Sequence, residues 1–334
     1  MFASFARCIL PRDFSPYAGT LPTRVDVIVN RLARHLRRDD GLAQVFARVA
    51  AEAGATLHET RSLAELEEVA RRLAERGADC VVLAGGDGSC MAGTSALARA
   101  FGERMPRVAF APGGTAGTVA RNWGYRGPMA AYARRIVLAA RAGAGTLTPR
   151  PTLRVRDDAG RDAVGFIFGA GLVASFFDAY YARPLQGYAG AAAIVARVFA
   201  GSFVGGQLAH RVLAPVAAEL SLDGHACVPR SFSLVAASVV KNLGLHMILL
   251  HRAAEDPARV HVVASSLGAA TLGPQLPLVL AGRPLLGRDH IDALARDIRL
   301  RFTAGPGAYV LDGEVFHAAE VRVTNGPVLE YLSA

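Results

Sequence analysis

Three carboxylates in this chain sit where glycine spacing could turn them to chemistry: Asp87, Asp312 and Glu314. Asp87 lies in Gly85-Gly86-Asp87-Gly88-Ser89, directly after the apolar run Val81-Val82-Leu83-Ala84. Glycines let the backbone come close to a ligand, and loop amides at a helix N-terminus attract an anion such as phosphate. A carboxylate placed there can bind a metal ion or help to position phosphates. A tight strand-to-helix turn with a capping aspartate is the plainer reading of the same residues. Asp312-Gly313-Glu314 puts two carboxylates on one short turn, where the glycine permits a bend that lets both point into a cleft. On a loop, paired carboxylates are also ordinary surface residues. A second glycine-rich turn, Pro112-Gly113-Gly114-Thr115-Ala116-Gly117-Thr118, follows the apolar residues 108–111. It offers the Thr115 hydroxyl and, beyond it, the cation Arg121, which read alone is a solvated helix charge.

The elements that would position these residues can be read from hydrophobic period. Residues 24–30, with Val25, Val27, Ile28 and Val29, and the apolar run 81–84 are rich in β-branched residues, as in strands of a buried sheet. Leu42, Val45, Phe46 and Val49 fall on one face of a helix that Gly54 can stop. A short strand at 55–58 follows. Ser62-Leu63-Ala64-Glu65 has the form of a capping box for a helix burying Leu66, Val69, Ala70 and Leu73. A helix is expected from Met91 and another over 128–141. This alternation over 24–145 predicts a doubly wound α/β unit, in which ligands bind at the carboxyl ends of the strands. Gly143-Ala144-Gly145, with Pro149 and Pro151 beyond, marks a boundary. Residues 146–334 change character. Hairpins are expected at 153–168 and 220–228, with further strands near 232–240, 260–264, 299–303 and 308–310. This suits a mainly antiparallel, sandwich-like second domain, whose last strands are free to pack back on the first. Residues 1–23 are an extension whose apolar run is too short and interrupted for a signal peptide.

Composition narrows the class. At 52% hydrophobic and 19% charged the chain can pack a core and is unlike a disordered one. A net charge of +9 and a pI near 9.9 suit an anionic membrane surface, a nucleic acid or a phosphorylated substrate. Cys8, Cys80, Cys90 and Cys227 fit no zinc or disulfide spacing. His246, His251 and His261 are the nearest approach to a histidine cluster and are not read as a metal site. No stretch of 18 residues is apolar without a charge, which points to a protein of the cytoplasm that touches a membrane at most peripherally.

In order and spacing, the Gly85 to Ser89 loop, Gly114-Thr115 with Ala120-Arg121, and Leu311-Asp312-Gly313-Glu314 resemble the diacylglycerol kinase catalytic-domain family, which includes bacterial diacylglycerol kinases and sphingosine and ceramide kinases. The resemblance spans about residues 24–330. It implies an ATP-dependent lipid kinase that uses Mg2+. ATP would lie on Asn30, Thr60, Gly85, Gly86, Asp87, Gly88, Ser89, Gly114 and Thr115. Asp87 and Asp312 would hold the metal. Glu314 would be the base, assisted by Asp312. The Gly187-Tyr188 helix and Phe176, Phe177, Tyr180 and Tyr181 are expected beside a lipid pocket, and their simpler reading is core. The partners implied are a lipid and an anionic membrane surface, with no nucleic acid; a homodimer is left open. Three departures from the family pattern stand out. Asn30 is followed by a basic run (Arg31, Arg34, His35, Arg37, Arg38), Gly117 replaces an asparagine, and residues 255–261 lack the usual acidic metal loop. NAD kinase, which shares a Gly-Gly-Asp-Gly loop, and a non-catalytic nucleotide- or lipid-binding protein are the alternatives.

Overall fold

A computed structural model describes residues 24–33, 40–113, 117–182, 187–288 and 290–334. Four parallel strands, β1 (Val25–Asn30), β2 (Thr56–Thr60), β3 (Cys80–Gly85) and β4 (Arg107–Pro112), pair in the order β2-β1-β3-β4. β3 is buried along its whole length, which is why its sequence is a continuous apolar run rather than an alternating one. The strands alternate with helices α1 (Asp40–Ala53), α2 (Leu63–Arg76), α3 (Asp87–Phe101), the short α4 (Thr118–Asn122) and α5 (Met129–Arg141). α1 packs on α5 and α2 on α3. The Ser62 hydroxyl accepts from the Glu65 amide at 3.1 Å, while the Glu65 carboxylate reaches back to the Arg61 amide at 2.6 Å, one residue earlier than in the standard box. β2 begins and ends later than expected, at Thr56 and Thr60.

The same sheet continues with the C-terminal strand Leu329–Ser333, parallel to β4, and then β5 (Thr146–Arg150), antiparallel to it. An aromatic cluster fastens this edge to the rest. Phe110 lies 5.4 Å from both Trp123 and Tyr331, and Phe166 lies 5.6 Å from Phe110 and 5.1 Å from Trp123, all centroid to centroid. Aromatic pairs at such separations stabilise by about 0.5–1.5 kcal/mol beyond their buried area.

The remaining strands form two antiparallel sheets. One contains β6 (Leu153–Asp157) and β7 (Asp162–Gly165) beside Glu320–Asn325, Asp297–Phe302 and Val216–Leu222. The other runs from His290–Ala295 through Val260–Ser265 and Leu234–Ser238 to β8 (Ile167–Gly171), then the hairpin Gly307–Leu311 and Glu314–Ala318. The single strand expected over 163–168 is therefore two, in different sheets, and the chain crosses at Phe166. The physical reason is a side chain. The amides of Phe166 and Ile167 donate to the Asp312 carboxylate instead of to a strand partner. Helices α6 (Leu172–Tyr181) and α7 (Tyr188–Phe203) follow β8. Among the described residues no helix is long and apolar enough to cross a membrane.

Phe166 is fully buried at the junction of all these parts. Phe166→Ala is expected to destabilise the chain by about 3–5 kcal/mol, the range for truncating a buried aromatic. Urea unfolding checks this, and a loss under about 1 kcal/mol contradicts the junction role.

Candidate active site

The carboxyl ends of β1, β2 and β3 bring Asn30, Thr60 and Ser89 together. Asn30 Nδ2 donates to Ser89 Oγ at 2.8 Å, and Asn30 Oδ1 accepts from the Leu32 amide at 2.9 Å. Thr60 is buried, with its carbonyl taking the Arg31 amide at 2.9 Å, so it shapes the strand end rather than facing outward. Gly85 has no room for a side chain, since a Cβ there would lie 2.6 Å from Ser89 Oγ. Helix α3 begins at Asp87, not Met91. Gly86 is its extended N-cap residue, and Asp87, Gly88 and Ser89 form its first turn.

Asp87 does act as a cap, but for another helix. Its carboxylate accepts from the amides of Thr118 at 3.0 Å and Val119 at 3.1 Å, the first residues of α4. A carboxylate at a helix N-terminus both satisfies open amides and faces the positive end of the helix dipole. The two glycine loops are joined a second time by the Gly113 amide, which donates to the Gly85 carbonyl at 2.6 Å. Gly117 has φ +58°, the left-handed conformation that glycine and asparagine both accept, so replacing the family's asparagine keeps the backbone shape and loses only a polar side chain. Gly114 and Thr115, and the basic residues Arg34, His35, Arg37 and Arg38, lie outside the described residues.

From the other end of the chain, Asp312 and Gly313 make the two-residue turn of the hairpin between Gly307–Leu311 and Glu314–Ala318. Both have positive φ, +49° and +92°, as tight Asp-Gly hairpin turns require. The two carboxylates do not point the same way. Asp312 is buried, with Oδ1 2.9 Å from the Ile167 amide and Oδ2 3.0 Å from the Phe166 amide. Glu314 is exposed and reaches across to α3, where its Oε1 lies 2.8 Å from the place a Cβ on Gly88 would occupy. Asp87, Gly88, Asp312 and Glu314 thus converge, although the two motifs are far apart in sequence. Burial, then the charge of Asp87, pushes the Asp312 carboxyl well above the ordinary range. Burial likewise raises Asp87, against the lowering effect of the Thr118 and Val119 amides and of Arg121.

These groups border a cavity of about 1120 Å³. Its polar end holds Asp87, Gly88, Asp312 and Glu314; the rest is mostly apolar, with Phe176, Phe177, Tyr180, Val195 and Phe199 among the lining residues. The aromatic residues of α6 are therefore wall as well as core. Sequence reasoning missed Asn122 and Asn242 at this end, and it expected Tyr181 beside a lipid pocket without its bond to the Asp-Gly turn. The Tyr181 hydroxyl donates to the Gly313 carbonyl at 2.8 Å. Asn122 Nδ2 donates to the Asn242 carbonyl at 2.8 Å, and Asn122 Oδ1 accepts the Asn242 amide at 3.1 Å, which holds the cavity-lining loop after Lys241. Asn242-Leu243-Gly244 is a turn signal that could have marked this loop.

Away from the cavity, residues 255–261 hold arginine pairs, Glu255 with Arg252 and Asp256 with Arg259, in place of a free acidic loop. His251, His261 and Asp292 are close enough to share an ion. The buried His261 instead bonds Asp292 at 2.9 Å, and the Arg252 guanidinium, 3.8 Å from the same carboxylate oxygen, opposes a cation.

Residues 24–146 match the family model of the diacylglycerol kinase catalytic domain, so the resemblance carried by the glycine loops holds over that stretch. Nearly the whole chain shares its fold with solved structures from Bacillus anthracis str. Sterne. One, described as a diacylglycerol kinase, superposes with a TM-score of 0.62 at 14% identity, covering 95% of this chain and 98% of that one. Another, titled "a putative diacylglycerol kinase", gives a TM-score of 0.68 at 17% identity, covering 94% and 98%. No curated protein sequence matches the chain. A parallel sheet joined to antiparallel sheets is thus an architecture that the chain shares with these solved structures.

The raised carboxyls set a pH dependence. With divalent cations chelated, the unfolded state gives up these protons first, at about pH 4. Asp87 and Asp312 therefore lower stability as pH rises from there through their raised folded values. Asp162 and Glu219, held low by their arginine partners, act in the opposite sense in any variant. The comparison is therefore wild type against Asp312→Asn by urea unfolding at acid and neutral pH. The variant should gain stability relative to wild type as pH rises. No change in the difference contradicts the burial of a raised Asp312 carboxyl.

Proposed function

We propose that the chain is an ATP-dependent lipid kinase that transfers the γ-phosphoryl group to a lipid hydroxyl of the diacylglycerol or sphingoid type. The observation that carries this is the meeting of Glu314 with the Gly88 turn at the polar end of a large apolar cavity. A long apolar chain fits such a lining far better than NAD does. The acceptor hydroxyl would then lie near Glu314, and the triphosphate along the first turn of α3.

In this reading the Glu314 carboxylate takes the proton of the acceptor hydroxyl. The hydroxyl oxygen bonds to the γ-phosphorus, the bond from that phosphorus to the β–γ bridging oxygen breaks, and ADP leaves with those electrons. Asp312 positions Glu314 through the turn; its oxygens take the Phe166 and Ile167 amides, and the carboxylate keeps acceptor capacity for a cation. The donor set suits a hard divalent cation: two carboxylates, Asp87 and Asp312, close enough that the charge of Asp87 raises Asp312, with Glu314 beside them. Mg2+ held there would neutralise charge on the triphosphate. The Asn30–Ser89 pair and the bonded Gly85 and Gly113 backbones would shape the nucleotide's seat.

Labelled ATP with Mg2+ and a panel of diacylglycerol, monoacylglycerol, sphingosine and ceramide in mixed micelles, with NAD as the soluble control, tests this directly. One lipid class should be labelled, and Glu314→Gln should reduce the rate by about 100- to 10,000-fold, the usual contribution of a general base. Equal labelling by the variant, or labelled NADP alone, overturns the reading.

Gly88→Ala separates position from fold. In the first turn of a helix, alanine is up to about 1 kcal/mol more favourable than glycine, so stability should hold or rise. The new Cβ displaces the Glu314 carboxylate, and lipid phosphorylation should fall at least about tenfold. Full activity in that variant contradicts the placement of Glu314.

A further inference from the structure

At the rim of the cavity, α4 and the loop 242–247 are locked together. Besides the two Asn122–Asn242 bonds, Asn242 Oδ1 accepts from the Gly244 amide at 2.9 Å. The Leu243 amide donates to the Met247 carbonyl and the Met247 amide to the Gly244 carbonyl, both at 2.9 Å. This tight loop holds three consecutive residues at positive φ: Gly244 at +101°, Leu245 at +51° and His246 at +57°. Glycine adopts that region freely, whereas two residues with side chains seldom do so in a row. Backbone strain of this kind collects where a side chain has to be presented to a ligand. Leu245 and His246 both line the cavity, and the exposed His246 ring makes no hydrogen bond among the described residues.

Arg126, in the turn after α4, lines the same cavity. Its Nη1 donates to the carbonyls of Arg121 and Tyr125, both at 2.7 Å, and it forms no ion pair among the described residues. One nitrogen therefore fixes the guanidinium while the others keep their protons for a ligand, the arrangement that suits a phosphate. Neither segment that builds this rim brings an acid to it, since residues 104–156 and 224–254 contain no Asp or Glu. The rim also stands beside the reacting end. A Cβ on Gly244 would lie 3.7 Å from Thr118 Oγ1, and the Thr118 amide bonds Asp87. Arg121, whose charge lowers Asp87, belongs to the carboxylates. Arg126 and His246 have no such task.

We propose that Arg126 and His246 form an anion subsite at the rim, and that the acceptor is a lipid carrying a phosphate group beside its free hydroxyl. The proposal rests on the lipid kinase reading and narrows its substrate class. The acyl chain lies along the apolar wall, the hydroxyl meets Glu314, and the phosphate takes the open guanidinium and imidazole donors.

Monoacylglycerol and lysophosphatidic acid of the same octanoyl chain differ by one phosphate group. Both are dispersed as monomers, so that no lipid surface contributes. With ATP and Mg2+, the intact chain should phosphorylate lysophosphatidic acid with a kcat/KM at least about tenfold above that for monoacylglycerol, the size of one hydrogen bond to a charged group. Arg126→Gln with His246→Gly should abolish that preference through KM for the lipid, with KM for ATP unchanged. In His246→Gly alone the left-handed strain is relieved, so the urea midpoint should hold or rise while the preference falls. Equal kcat/KM for the two lipids in the intact chain overturns the subsite and leaves the kinase reading standing. A raised KM for ATP in the double variant, with the lipid preference kept, gives the two side chains to the nucleotide's phosphates and also overturns it. Equilibrium binding of the same lipids separates the subsite from the chemistry. Tighter binding of lysophosphatidic acid that the double variant loses, with neither lipid ever labelled, supports the subsite while the kinase reading fails.

Discussion

The carboxylate of Asp312, buried against the amides of Phe166 and Ile167, is the constraint on which the rest of the site depends. At Phe166 the chain leaves one antiparallel sheet for another, and its amides there have no strand partner. A buried amide without a partner costs about 1–3 kcal/mol. One side chain satisfies both, at the cost of its own desolvation. That same side chain belongs to a hairpin turn whose two central residues need positive φ. The requirement for a short, hydrogen-bonding residue in the left-handed region and the requirement for an acceptor at the sheet crossing therefore fall on one aspartate. Glu314, two residues on, is aimed as a consequence.

The facing half of the site is built the same way. Asp87 bonds the first two amides of α4 and so ties the second glycine loop to the first. α3, which carries Asp87 and Gly88, is fixed further along, where Ser95 Oγ takes the Val164 amide at 2.8 Å and donates to the Val164 carbonyl at 3.0 Å. β7, which contains Val164, leads straight into Phe166. The first sheet and the later strands thus share one rigid connection at the site, and the aromatic cluster of Phe110, Trp123, Phe166 and Tyr331 closes it on the apolar side. Two desolvated carboxylates left close together are poorly stable as a pair of anions, which is the electrostatic reason a divalent cation suits the spot.

Much of the fold was legible because its signals are local. β3 is buried on both faces and reads as an unbroken apolar run, and β1 does so apart from the buried Asp26, which pairs with His58 and Arg76; α2 announces itself through Ser62 and Glu65; the Asp-Gly turn at 312 and 313 is a hairpin signature. The candidate site was legible as a set of residues but not as a set of jobs. Nothing near Asp312 in sequence says that its partners are the amides of Phe166 and Ile167, because backbone amides carry no side-chain signature. The split of the strand at 163–168 was hidden for the same reason. The role of Asp87 as a cap was among the readings open from sequence, but the helix it caps could not be named. Gly88 looked like one more flexible loop residue; its place in a helical turn shows that it is glycine because Glu314 fills the space of its Cβ.

The account's central claim is that the Gly85 to Ser89 turn and the Asp312-Gly313-Glu314 turn form one nucleotide and metal site. Anomalous scattering from Mn2+ in crystals grown with a non-hydrolysable ATP analogue tests it most directly. The account predicts a manganese peak among the carboxylates of Asp87, Asp312 and Glu314, with the triphosphate along the first turn of α3. A nucleotide bound elsewhere, or a triphosphate at this turn with no metal at these carboxylates, would contradict it.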